Sequence, residues 1–167
     1  MNTIIRLIEK LSDGVAILSA VTLGLMSILI LVEIFLWNAF EKTTLIADEY
    51  SAYGLAAIIF LGSGYCLKEK GHIRIPVILN LLPEKVTRVI TFVATAATTA
   101  FMGYIWWYLF LMVKATARYN STSGTLTNTP LWIPQSIMLV GAACFVLQLI
   151  GTTLKTYRAI GSGEEAV

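Results

Sequence analysis

The chain has 167 residues, 57% hydrophobic and only 13% charged, with a formal net charge of +2. Soluble domains carry roughly 45–50% apolar and about 25% charged residues, so this chain has too few charges to cover a water-facing surface. That balance argues against a soluble enzyme, and against disorder, which needs low hydrophobicity and high charge.

The charges are not scattered. Four windows contain none: Gly14–Val32, Tyr50–Leu67, Val89–Val113 and Leu131–Leu154. Each is close to the ~20 residues an α-helix needs to cross a hydrocarbon layer ~30 Å thick. Backbone polar groups in lipid must be satisfied within the segment, which selects helices. The expectation is an all-α integral membrane protein, one membrane domain spanning the chain. Its transmembrane helices fall at about 14–37, 46–67, 86–113 and 131–154, with a short interfacial segment at about 75–83.

Residues 1–13 mix Ile4, Ile5, Leu7, Ile8 and Leu11 with Arg6, Glu9 and Lys10, which suits a short amphipathic lead-in. Ser12 and Asp13 could cap the first transmembrane helix, or the helix simply runs on through them. The first apolar run is too long for a signal-peptide core, and Trp37-Asn38-Ala39-Phe40 is no small-residue cleavage site, so it is read as a retained helix. Trp37 suits an interfacial anchor. A short loop at 38–44 leads into helix 2. The charge cluster Lys68-Glu69-Lys70-Gly71-His72-Ile73-Arg74 comes after it, with Lys68, Lys70, His72 and Arg74 as lipid-headgroup or subunit contacts. Ile75–Pro83 is apolar but far too short to span, and is bounded by Pro76 and Pro83. Helix 3 is longer than a span requires, so it should tilt. It carries Trp106 and Trp107 toward its far end, and Trp132 opens helix 4 at interface depth; all three, like Trp37, are expected as interfacial anchors. The Ser/Thr/Asn/Gly-rich stretch 116–129 is the one long polar loop.

Lys and Arg counts set the orientation. The N-terminal segment, the loop between helices 2 and 3 and the C-terminal tail hold nine basic residues; the opposite side holds three, Lys42, Lys114 and Arg118. The positive-inside rule then places both termini in the cytoplasm. The basic stripes are orientation signals and do not point to a nucleic-acid partner; membrane lipid is the partner they suit. Cys66 and Cys144 have no zinc-type spacing and read as small buried hydrophobes.

Three acids, Glu33, Asp48 and Glu49, fall at the outer ends of helices 1 and 2. Ionisable residues at membrane depth are costly and face protein or water. They suit an ion or proton site; the plainer expectation is structural or inter-subunit pairing, with Lys114 and Arg118 as charge partners. Asp48 and Glu49 also fit a helix N-terminus through the dipole. Small residues in helix 2 (Ala52, Ala56, Gly62, Gly64) and helix 3 (Ala96, Ala100, Gly103) read as helix-packing surfaces. His72, the single histidine, sits in the charged loop and cannot supply two axial ligands to a haem. No nucleophile triad, phosphate loop or dinucleotide fingerprint is present. The expectation is no enzyme and no cofactor, metal or catalytic residue in this chain.

The Asp-Glu opening helix 2, Phe60-Leu61-Gly62-Ser63-Gly64, Lys68-Glu69-Lys70-Gly71-His72-Ile73-Arg74, Leu81-Leu82-Pro83 and Thr129-Pro130-Leu131-Trp132-Ile133-Pro134-Gln135 together resemble one family over roughly residues 5–158. It is that of the small membrane (Q-type) subunit of tripartite ATP-independent periplasmic (TRAP) transporters. Similar proteins often have an acid after the Gly-His-Ile-Arg-hydrophobic run; here Pro76 stands there. The resemblance implies a three-part assembly. A large membrane subunit, in a stable heterodimer with the small one, carries substrate and sodium by an elevator-type motion. A periplasmic binding protein, docking transiently, delivers a small and commonly anionic organic solute. The small subunit supports the large one in the bacterial inner membrane. Two other readings compete: a self-sufficient four-helix transporter using a membrane glutamate, for which Glu33 is the attraction, and a membrane assembly factor.

Overall fold

The computed structural model describes residues 2–69 and 83–162. Four helices account for nearly all of them: α1, Asn2–Phe40; α2, Ala47–Lys68; α3, Glu84–Arg118; α4, Trp132–Ser162. Each contains a window long and apolar enough to cross a membrane. The fold is the expected all-helical one, a multi-pass membrane architecture. Of the charged loop, Lys70, His72 and Arg74 lie outside the described residues, as does the expected interfacial segment up to residue 82.

The N-terminal lead-in is not a separate element. α1 runs unbroken for 39 residues, about 58 Å at 1.5 Å per residue, well beyond one hydrocarbon thickness. Ser12 and Asp13 are therefore mid-helix and cap nothing. No proline interrupts residues 2–40, and tertiary partners absorb the polar side chains. Ser12 Oγ donates to Gln148 Oε1 at 3.1 Å, and Asp13 pairs with Lys68 at 2.5 Å.

Helix termination obeys local chemistry. Glu41 (φ 51°) and Asn120 (φ 48°) adopt the left-handed conformation just past α1 and α3. Lys42 N–H reaches back to the Leu36 carbonyl, and Ser121 N–H to that of Thr116. These are the long return bonds that close a helix C-terminus. Pro83 directly precedes α3, where its missing N–H costs nothing. Pro134 sits in the first turn of α4 for the same reason.

α4 is the hub. It packs against α1, α2 and α3, while α1 and α2 also pack together; α3 lies at the edge, against α4. Named contacts fix the directions. Asp13–Lys68 and Ser19 Oγ to the Ile58 carbonyl make α1 and α2 antiparallel. Thr99–Thr153 and Trp106 Nε1 to the Leu139 carbonyl make α3 and α4 antiparallel. One end of the bundle thus carries both termini, and the other carries the loops at 41–46 and 119–131. At the terminal end, Lys155–Glu9 at 2.6 Å joins Asp13–Lys68 in tying α1 to α4 and α2.

α2 and α4 approach closely, backbone to backbone, at Gly141. A Cβ built on Gly141 would lie 2.6 Å from the Phe60 carbonyl carbon and 2.8 Å from the Leu61 nitrogen. Ala57, Leu61, Ala142, Cys144 and Leu149 form the small apolar core around this crossing. Cys144 is buried as expected, whereas Cys66 is exposed. The core is unusually polar toward the terminal end, where Ser12, Ser19, Gln148, Thr152 and Thr156 are buried. The two threonines return their hydroxyls to carbonyls four residues back, which satisfies them without leaving the helix.

Candidate functional site

The loop end gathers the three acids expected from the sequence but divides them between two loops. Glu33, on the last turns of α1, faces the α1–α2 connection. Its carboxylate accepts hydrogen bonds from the hydroxyls of Thr43 and Thr44, and from the Thr44 N–H at 3.0 Å. The Leu45 N–H then bonds Thr43 Oγ1 at 3.1 Å. This clasp holds Leu45 in the left-handed region at φ 58°, a conformation costly for a residue with a Cβ. A cleft of about 470 Å³ lies alongside, lined by Glu33, Trp37, Asn38, Thr43 and Asp48 among others.

Glu49, in the first turn of α2, faces the α3–α4 loop instead. Tyr53 Oη donates to one carboxylate oxygen at 2.8 Å, and the Thr125 and Thr127 hydroxyls donate to the other. The loop is itself cross-braced. Ser123 N–H donates to the Thr129 carbonyl at 2.9 Å, and Thr129 N–H to Ser123 Oγ at 3.0 Å. Thr125 Oγ1 lies 2.8 Å from Ser123 Oγ and 3.0 Å from Thr127 Oγ1. A short bridge joins Thr122 to Pro130. One carboxylate thus organises the loop at 119–131, whose hydroxyl residues alternate. That alternation at 123, 125, 127 and 129 is visible in the sequence and would have signalled one shared polar target.

Hydroxyls take the places expected for charge partners. Among the described residues, neither Lys114 nor Arg118 forms an ion pair with Glu33, Asp48 or Glu49. The reason is topological: both cations ride on α3, whose extensive packing is against α4 and not against the α1–α2 pair. Asp48 is exposed at the start of α2, and no group of three His, Cys, Asp or Glu side chains gathers among the described residues.

The small residues separate into two sets. On α2, Gly64 is buried, and a Cβ there would meet Ser12 Oγ at 3.4 Å and the Cys144 carbonyl at 3.7 Å; Gly62 lies against Ser19 Oγ at 3.4 Å. These two serve packing inside the chain. Ala56 is half-buried, whereas Ala52 is exposed. On α3, Ala96 and Gly103 are half-buried and Ala100 is exposed, and a Cβ on Gly103 would meet nothing within 4 Å. The packing glycines that sequence reasoning missed are Gly141 and Gly54, the latter closed over by Met26.

The tryptophans differ as well. Trp37, Trp107 and Trp132 are exposed. Trp106 turns inward, donating Nε1–H to the Leu139 carbonyl at 3.3 Å and stacking on Phe110 at 6.1 Å. Lys68 is engaged within the chain, by Asp13 and more loosely by Glu69 at 3.7 Å. A shallow apolar groove of about 330 Å³ runs between α1, α2 and α4, bordered by Leu25, Met26, Tyr53, Gly54 and Pro134.

No curated protein and no solved structure matches the chain. A family model does: that of the tripartite ATP-independent periplasmic transporters, DctQ component, matches residues 26–159. The match runs from the middle of α1 to the last turns of α4, taking in the glutamate clasps, the polar loop and the α2–α4 crossing; the chain belongs to the DctQ family, the small membrane component of TRAP transporters.

Proposed function

We propose that this chain is the accessory small permease subunit of a TRAP transporter. In this reading it is a fixed support for a large membrane subunit that carries substrate and sodium. The complex takes up a small, anionic organic solute handed over by a periplasmic binding protein. The single observation behind the reading is the family match across all four helices.

The internal bracing agrees with a static role. α1, α2 and α4 are tied at the terminal end by Asp13–Lys68 and Glu9–Lys155. At the loop end, the Glu33 and Glu49 clasps fix the connections. A subunit that supports an elevator must resist the force of the moving part, and cross-links at both ends of a bundle serve that. In this reading the chain sits in the bacterial inner membrane with both termini in the cytoplasm, consistent with the bias of basic residues. It holds no cofactor, and the sodium sites belong to the large subunit.

The test is co-expression with a TRAP large permease subunit and a periplasmic binding protein from the same genome. A stable one-to-one complex with the permease, and solute uptake that stops when this chain is omitted, are expected. Uptake into liposomes containing this chain alone would overturn the reading in favour of a self-sufficient transporter. Transient association without any effect on uptake would favour an assembly factor.

A further inference from the structure

We infer that Arg6 and Lys10, one turn apart on the outward face of α1, seat the phosphate headgroup of an anionic phospholipid in the leaflet next to the chain termini. The inference needs the membrane-spanning bundle alone, and not the reading of the chain as a small permease subunit.

Its first support is how the terminal end sorts its charges. The two acids in the first turns of α1 are answered within the chain, Glu9 by Lys155 at 2.6 Å and Asp13 by Lys68 at 2.5 Å. The two cations that alternate with them point away from the bundle. Arg6 and Lys10 are exposed, and neither forms a salt bridge among the described residues. Lysines from α2 and α4 have thus neutralised the acids of α1, which leaves two uncompensated positive charges on its outer surface. Lys68, expected from the sequence as a headgroup contact, is taken up by Asp13.

The second support is depth. Asp13 and Glu33, whose carboxylates are held at opposite ends of the bundle, lie twenty residues apart on one unbroken helix, about 30 Å at 1.5 Å per residue. That is the thickness of a hydrocarbon layer, and Gly14–Val32 between them carries no charge. Lys10 and Arg6 stand about 5 and 10 Å beyond Asp13. The headgroup layer is roughly 5–7 Å deep on each side, so Lys10 lies within it and the long Arg6 side chain reaches back to it.

The third support is what shares the face. Leu7, 70% exposed, and Leu11 stand beside the cations. The outward stripe runs on through Gly14, Ile17, Leu18 and Val21, all exposed. Cations at the end of an uncharged apolar stripe match a phospholipid, with its phosphate at the end and its acyl chains alongside. A free phosphate ion would leave the leucines in water. α1 also carries the most apolar window of the four helices, only 6% of it buried within the chain, which is the character of a helix solvated by lipid. The bilayer supplies phosphate at this level all round the chain, and a guanidinium can grip it through two hydrogen bonds.

The test places the full chain in phosphatidylcholine vesicles of equal composition in both leaflets, with a small fraction of lipid spin-labelled near the headgroup. In a Cys66→Ser, Cys144→Ala background, Leu7→Cys carries a fluorophore. Spin-labelled phosphatidylglycerol should quench it several-fold more strongly than spin-labelled phosphatidylcholine. With Arg6→Gln and Lys10→Gln together the preference should disappear, since each cation near a membrane surface contributes roughly a fivefold factor in binding. Arg6→Lys should keep most of the preference. Lys42→Gln, an exposed cation at the loop end, should leave it unchanged, and inorganic phosphate should displace no more lipid than chloride does at equal ionic strength. A second reading avoids the label: phosphatidylglycerol co-purifying with the otherwise wild-type chain should be enriched over the bulk membrane, and the double glutamine variant should lose that enrichment. Equal quenching by the two lipids, or a preference or enrichment that survives the double glutamine variant, overturns the seat. Displacement by inorganic phosphate overturns it in favour of a site for the free ion. Loss of quenching by both lipids when the large subunit is bound overturns it in favour of a protein contact on this face.

Discussion

Gly141 of α4 lies directly on the backbone of Phe60 in α2, so close that a Cβ at position 141 would stand 2.6 Å from the Phe60 carbonyl carbon. Neither atom can yield as a flexible side chain would, because both belong to helix backbone. Gly141→Ala is therefore expected to push α2 and α4 apart, at a cost of about 1–3 kcal/mol, with Gly141→Leu worse. The measurement is the unfolding midpoint of the purified chain in detergent. Gly103→Ala is the control, because nothing lies within 4 Å of a Cβ there and alanine favours a helix over glycine; it should unfold no earlier than wild type. Equal midpoints for Gly141→Ala and Gly103→Ala would show that the two helices are not in backbone contact.

The polar seam at the terminal end makes a second case. Ser12 Oγ donates to Gln148 Oε1 at 3.1 Å, and both residues are buried. Hydrogen bonds between helices in a membrane contribute about 0.6 kcal/mol on average, so Ser12→Ala should lower stability modestly. Gln148→Leu on its own strands Ser12, while the double replacement by Ala and Leu leaves no unpaired group and should recover part of the loss. A double-mutant cycle measures this coupling, and strictly additive losses would argue against the bond.

What the sequence showed and what it hid separate along physical lines. The four charge-free windows had to be helices because lipid offers the backbone no partners, and that reasoning needs no tertiary information. The helix ends were less legible: Ser12 and Asp13 look like a cap, and only the presence of Gln148 and Lys68 opposite them lets the helix run through. The small residues of α2 and α3 stood out as packing surfaces, yet which pack inside the chain depends on the order of helices around α4. Gly62 and Gly64 face α1 and α4, whereas Ala100 faces outward. The three acids are legible in the sequence, but only side of the membrane points from them to Lys114 and Arg118. Side is set by charge bias and loop count; adjacency is set by packing, and the extensive packing of α3 is against α4.

Glu49 carries the third prediction. It accepts from Tyr53, Thr125 and Thr127, so it should act as the post to which the 119–131 loop is tied. Glu49→Ala removes the acceptor and leaves three hydroxyls to find others. Hydrogen exchange of the loop amides, notably Ser123 N–H and Thr129 N–H, should accelerate, and protease should cut near the exposed Leu126 sooner. Glu49→Gln keeps one carbonyl acceptor and should fall between the two. Because the effect is local, the unfolding midpoint should move less than for Gly141→Leu. Unchanged exchange at Ser123 and Thr129 in Glu49→Ala would mean that the loop holds itself without the glutamate.

The orientation yields the last prediction. Contacts within the bundle place the start of α1 and the ends of α2 and α4 together, since Asp13 meets Lys68 and Glu9 meets Lys155. Those contacts fix which ends lie on one side, and the excess of Lys and Arg at that end makes the cytoplasm the expected side. Leu126, 77% exposed in the polar loop, should then be periplasmic, and Lys10, exposed on the first turns of α1, should be cytoplasmic. In a background with Cys66→Ser and Cys144→Ala, Leu126→Cys should react with a membrane-impermeant maleimide in intact spheroplasts. Lys10→Cys should react only after the membrane is opened. Both positions reacting in intact cells would contradict the number of crossings, because the loop and the amino end would share a face. The reverse pattern, Lys10→Cys first and Leu126→Cys only after lysis, would keep the bundle but invert it, and the clasped Glu49 loop would then face the cytoplasm.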